Sequence, residues 1–87
     1  MHARVIDANI SDLARAKQGL GQDVIQGLKG TKGFLGAYFV AIDESHGISI
    51  EVFETEELAR ATSPLEGAEA PGVTVRTIQF GEVIGSA

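Results

Sequence analysis

Cysteine and tryptophan are absent from this chain, methionine and tyrosine occur once each, and there are only two prolines. Without cysteine there is no disulfide framework and no thiolate for a metal. A small domain without such staples fits a reducing compartment, so the expected location is cytoplasmic. No stretch approaches the ~20 apolar residues of a membrane span, and no apolar signal-like region follows Met1-His2-Ala3-Arg4. Basic residues are outnumbered by acidic ones, seven to twelve, for a net charge of −5. Phosphate binding needs a positive field, so nucleic acid is not an expected partner. The two histidines, His2 and His46, have no metal-ligand spacing and no cysteine companion, and no metal site is expected.

The apolar content is 44%, too high for a disordered chain. Eighty-seven residues make one domain, 1–87, with a core that withdraws only about 60–65% of the unfolded surface from water. His2 to Ala8 reads as a strand with Val5 and Ile6 on opposite faces. Asn9 to Ser11 is a turn, with Ser11 as helix N-cap and Asp12 in the first helical turn. Leu13, Leu20, Val24 and Leu28, widened by Ala16 and Ile25, form a helical stripe. Gly19 and Gly21 interrupt that stripe and predict a kink or break, and the helix is expected to end by Gly30.

The hairpin Gly33 to Phe53 follows, with a first arm from Phe34 to about Asp43, a turn over residues 43–47 and a second arm from Ile48. Thr55 caps a short helix over residues 55–61, whose first turn holds Glu56 and Glu57. Both prolines fall in Ser63 to Gly72, which reads as a loop. Val73 to Val83 is a last strand with a bulge expected at Gly81. The order β-α-β-β-α-β predicts an α+β, ferredoxin-like domain, with two helices on one face of an antiparallel sheet.

The hairpin divides into two sets. Pairing Ile42 with Ile48, Val40 with Ile50 and Tyr38 with Val52 puts those six side chains on one face, which is assigned to the helices. Ala37, Phe39, Ala41, Ser49, Glu51 and Phe53 then form the other face, and a one-residue slip would exchange the two. An exposed face carrying Phe39 and Phe53 predicts an interaction surface. A twofold homodimer through Ala37, Phe39, Glu51 and Phe53 meets that need with one patch used twice.

Gly-Phe-Leu-Gly-Ala-Tyr, an acidic turn, and Ile-Ser-Ile-Glu-Val-Phe-Glu-Thr-Glu-Glu together resemble the antibiotic biosynthesis monooxygenase superfamily, over roughly Gly30 to Ala61. The resemblance implies a dimeric α+β barrel. Members include cofactor-free monooxygenases of polyketide quinones, haem-degrading enzymes and proteins of unknown role. Its enzymes use an asparagine and tryptophans between sheet and helices, and the haem-degrading branch uses a histidine on the second helix. Here tryptophan is absent, Asn9 ends the first strand and the second helix has no histidine, so no catalytic residue carries over.

Among individual residues, Tyr38 reads more as a core tyrosine than as a hydrogen-bond donor to a phenol or quinone. His46 reads as a solvated turn residue. Arg4 and Arg76, sharing a face with Glu51, read as ion-pair partners before pocket cations. Gly30-Thr31-Lys32-Gly33 spells the GxxG of a KH nucleic-acid-binding loop, but a strand follows it where that module needs a helix. Two functions stay open. One is a cofactor-free, monooxygenase-like enzyme that deprotonates an aromatic or quinone-like substrate, with Tyr38, Val40 and Ile50 lining its pocket. The other is a non-enzymatic binding or structural module with a filled core. A cavity of about 300 Å³ or more between the helices and Tyr38, Val40 and Ile50 separates them.

Overall fold

Val5-Ile6-Asp7-Ala8-Asn9-Ile10 alternates to its end, and the strand alternates with it. In the computed structural model, which describes residues 1–87, β1 spans His2–Ile10, two residues longer than expected. The turn is accordingly compressed to Ser11 and Asp12, and Asp12, not Ser11, caps the first helix by accepting from the Arg15 N–H at 3.0 Å.

Helix α1 (Leu13–Gly19) continues through a π-helical turn at Leu20–Val24 into α2 (Ile25–Lys29). The wide turn is visible in the Ile25 N–H, which donates to the Leu20 carbonyl five residues back. The irregularity expected at Gly19 and Gly21 is therefore a widening, with the helix axis continuing beyond it. Gly30 caps α2. After it, β2 (Phe34–Ala41) and β3 (His46–Phe53) form the hairpin, and α3 (Glu56–Ala61) follows under a Thr55 cap. Two residues inside the expected loop, Glu69–Ala70, form a short β4, and β5 spans Val73–Glu82.

The strands make one antiparallel sheet in the order β2-β3-β1-β5-β4, with the helices on one face. This α+β arrangement is consistent with a ferredoxin-like fold. The β2–β3 register pairs Tyr38 with Ile50 and Val40 with Ile48. That is two residues from the expected register, because the turn closes between Ala41 and Gly47 and a bulge lies between Phe34 and Gly36. A shift of two keeps each set of side chains together. The irregularity in β5 lies opposite Asp7 and Ala8, leaving Arg76 unpaired, and not at Gly81.

Under the helices, Leu28, Phe53 and Ala59 form the buried cluster, with Val24, Phe34, Phe39, Leu58 and Phe80 packed against it. The Phe34 and Phe53 rings meet edge to face, 5.7 Å between centroids. Beside them Arg4 and Glu51, cross-strand partners of β1 and β3, are both withdrawn from solvent. Arg4 Nε donates to Glu51 Oε1 at 2.6 Å, and its Nη1 donates to the Ala59 carbonyl and Thr62 Oγ1 at 2.8 and 3.0 Å. The guanidinium also lies 4.7 Å from the Phe53 ring centroid, in cation–π contact. One arginine thus ties β1 to β3 and to the end of α3.

At the other end, Gly72 carries the chain back onto α1. Its φ of +76° suits glycine, and a Cβ there would run into the Asp12 carbonyl. The Gly72 carbonyl accepts from the Ser11 and Asp12 N–H groups at 2.8 and 3.3 Å.

Truncating one member of a buried ion pair strands the other charge, so Arg4→Met should lower the free energy of unfolding by about 3–5 kcal/mol in denaturant titration, and Arg4→Met with Glu51→Leu should recover most of it. Two surface carboxylates contribute to acid sensitivity. The Asp43 carboxylate accepts the Ser45 backbone N–H and hydroxyl, and Glu56 accepts from Arg60 Nε at 2.7 Å; both titrate below the usual range, held down mainly by those bonds. A depressed carboxylate stabilises the fold above its unfolded pKa and loses that contribution as pH falls through its folded value. Stability should therefore decline with acidification below the normal carboxylate range, with a shallower decline in Asp43→Ala, measured by denaturant unfolding against pH.

Candidate functional site

On β3 the residues Gly47, Ser49, Glu51 and Phe53 are buried, while Ile50 is 44% exposed. On β2 Phe39 packs against the core, while Tyr38 is 78% exposed. The two sets of hairpin side chains are thus divided as expected and assigned the wrong way round. Ala37, Phe39, Glu51 and Phe53, expected at a dimer interface, sit on the helix side of the sheet. Phe53 is wholly buried within the single chain. Tyr38, Val40 and Ile50, expected beneath the helices, lie on the open face. The reason is the Arg4–Glu51 pair. Arg4 shares its face of β1 with Ile6, Ala8 and Ile10, and drawing Glu51 to Arg4 draws Phe39, Ser49 and Phe53 in with it.

The helix side is not filled. Between the sheet, the helix from Leu13 to Leu28 and the loop after α3 lies an open cavity of about 610 Å³. Its sheet floor is Arg4, Ile6, Ala8, Ile10, Phe39, Ser49 and Glu51, with Val73 and Val75 from β5. Its roof is Leu13, Ala16, Leu20, Val24 and Leu28. The π-helical turn supplies Leu20, Asp23 and Val24 to this roof, and such turns recur at functional sites because they re-aim side chains within a continuous helix. Small residues keep the space open, since Gly47, Ser49 and Ala41 stand where larger side chains would enter it. Of the three residues expected to line a pocket, Val40 borders this cavity, and Tyr38 and Ile50 do not.

The loop after α3 reaches over one side, contributing Thr62, Ser63, Pro64, Ala68 and Glu69. Its later half is held in two places. The Gly67 N–H donates to the Val75 carbonyl at 2.8 Å, and Pro71 packs on Gly19, where an added Cβ would meet the proline ring at 3.3 Å.

No protein-family model matches the chain, and neither curated proteins nor solved structures give a significant match.

The cavity is apolar except at its floor and rim. Arg4 and Glu51 neutralise one another, and Ser49 lies beside them. Lys17, Asp23 and Glu69 stand exposed at the rim. Such a lining suits a small molecule that is mostly hydrocarbon and carries few polar groups. Arg76, expected to share a face with Arg4 and Glu51, is separated from them. It lies 3.8 Å from Asp7 on the open face, where Asp7 also meets His46 Nε2 at 2.8 Å. The open face otherwise carries Tyr38, Val40, Ile42, Ile48, Ile50 and Val52, and no helix of the chain covers it; none of the helices is long and apolar enough to cross a membrane.

Charge placed on the two faces should act differently. Phe39→Asp puts a carboxylate against the buried cluster and should cost about 2–4 kcal/mol of stability, whereas Ile50→Asp on the open face should cost under about 1 kcal/mol in the isolated chain. Thermal and denaturant unfolding of the two variants at low protein concentration checks this.

Proposed function

We propose that this protein binds a ring-bearing, mainly apolar small molecule in the helix–sheet cavity, and that it acts on that molecule as a cofactor-free, monooxygenase-like enzyme. The supporting observation is the cavity itself. At about 610 Å³ it falls in the range of small-molecule sites, although its floor is not the Tyr38 and Ile50 face first expected. The resemblance of Gly30 to Ala61 to the monooxygenase superfamily supplies the reaction class. In this reading Glu51, the one carboxylate among the buried floor residues, takes a proton from an enolisable methylene of the substrate. The carbanion left behind adds to dioxygen to give a hydroperoxide on that carbon, and loss of the second methylene proton then drives cleavage of the O–O bond. One oxygen atom ends on the methylene carbon as a carbonyl, the other leaves as water, and a dry cavity limits side reactions.

The same reading covers the open face with a second copy, forming a dimeric α+β barrel. The interface is then Tyr38, Val40, Ile42, Ile48, Ile50 and Val52, in place of the residues first expected. An uncovered face of six large apolar side chains supports it.

Oxygen uptake and product formation with an enolisable tricyclic ketone such as anthrone test the enzymatic reading. Catalysis should exceed the spontaneous oxidation, and Glu51→Gln should reduce it by at least about a hundredfold, with substrate affinity changed far less. Wild-type rates no faster than the buffer control leave binding without turnover. In sizing chromatography the protein should elute as a dimer and Ile50→Asp as a folded monomer; a wild-type monomer at high concentration removes the dimer.

A further inference from the structure

We infer that Ser49, with the free edge of the Arg4–Glu51 pair, forms a polar anchor on the cavity floor, and that this anchor selects uncharged ligands whose polar end is a hydroxyl. The inference rests on the reading of the cavity as a ligand site. Ser49 is 8% exposed, yet its hydroxyl has no hydrogen-bond partner in the protein. The one fully enclosed side-chain atom without a partner is His2 Nδ1, so the Ser49 hydroxyl opens onto the cavity it lines. Glu51 is in the same position. Its Oε1 accepts from Arg4, and its Oε2 has no hydrogen bond. A ligand that displaces water from these two atoms must supply partners for them or leave them unmet, which costs free energy.

The charge at the floor decides which group is suitable. Arg4 and Glu51 cancel, so the floor presents no net charge to a ligand. An anionic head group meets the Glu51 carboxylate, and a cationic one meets the Arg4 guanidinium. Either is stripped of water without a free counter-charge, which is costly. A carbonyl accepts from Ser49 alone and leaves Glu51 Oε2 free, which suits a substrate that Glu51 deprotonates but holds it less tightly than a hydroxyl would be held. A hydroxyl both donates and accepts, and so matches a free carboxylate oxygen and a free serine. Ile6, Leu20, Val24 and Leu28 then surround the hydrocarbon part.

The test is calorimetric or fluorescence titration of the full chain at neutral pH with four probes: naphthalene, 2-naphthol, 2-naphthoate and 2-naphthylmethylammonium. Naphthol should bind most tightly, and both ions at least about tenfold more weakly than naphthol. Ser49→Ala should weaken naphthol about threefold to tenfold while leaving naphthalene within about twofold, which also reports that the cavity is intact. Equal affinity for naphthol and naphthoate, or naphthol binding unchanged in Ser49→Ala, overturns the anchor and leaves the cavity reading standing. Failure of all four probes to bind overturns both.

Discussion

The buried pair of Arg4 and Glu51 is the constraint on which the rest of the structure depends. It joins the two central strands side by side, and Arg4 reaches on to the Ala59 carbonyl and Thr62, fixing the end of α3 to the sheet. Two charges taken from water are stable there because three hydrogen bonds and the face of Phe53 receive the guanidinium. Because side chains alternate along a strand, turning Glu51 inward turns Ser49 and Phe53 inward as well. Everything that follows about which face is cavity and which is surface descends from that one choice.

The inward face is chemically uneven. Phe53 and Phe34, with Leu28 and Ala59, fill its α3 end, and Gly47, Ser49 and Ala41 leave space beneath the π-helical turn. A chain of this size builds only a thin core, and here that core is closed at one end and open at the other. The outward face is more uniformly aliphatic than the inward one.

Element order, the helix stripe, the Thr55 cap and the two sets of hairpin side chains were legible in the sequence, because each depends on local periodicity and capping chemistry. Which face meets the helices was not legible, because both sets are apolar and the hairpin's own pattern does not distinguish inside from outside. A signal existed in β1: Arg4, Ile6, Ala8 and Ile10 alternate with Val5, Asp7 and Asn9, so the even positions favour the inside, and their pairing with β3 carries Glu51 inward. Using it required the β1–β3 register, which is a long-range property that no local pattern supplies. The cavity was out of reach for the same reason, since its walls come from five segments separated in sequence. Gly19 and Gly21 pointed to a disturbed helix but not to a π-helical turn, because glycine marks where a helix is weak and not how it yields.

The central claim is that a small molecule enters between the helices and the Arg4–Ser49–Glu51 floor. Isotope-filtered NOE spectroscopy of the labelled protein with bound 2-naphthol tests it most directly. The account predicts contacts from the ligand ring to the methyl groups of Ile6, Leu20, Val24 and Leu28, and none to Ile50 or Val52. Contacts to Ile50, Val52 and Tyr38, with silence from Leu20 and Val24, would contradict it.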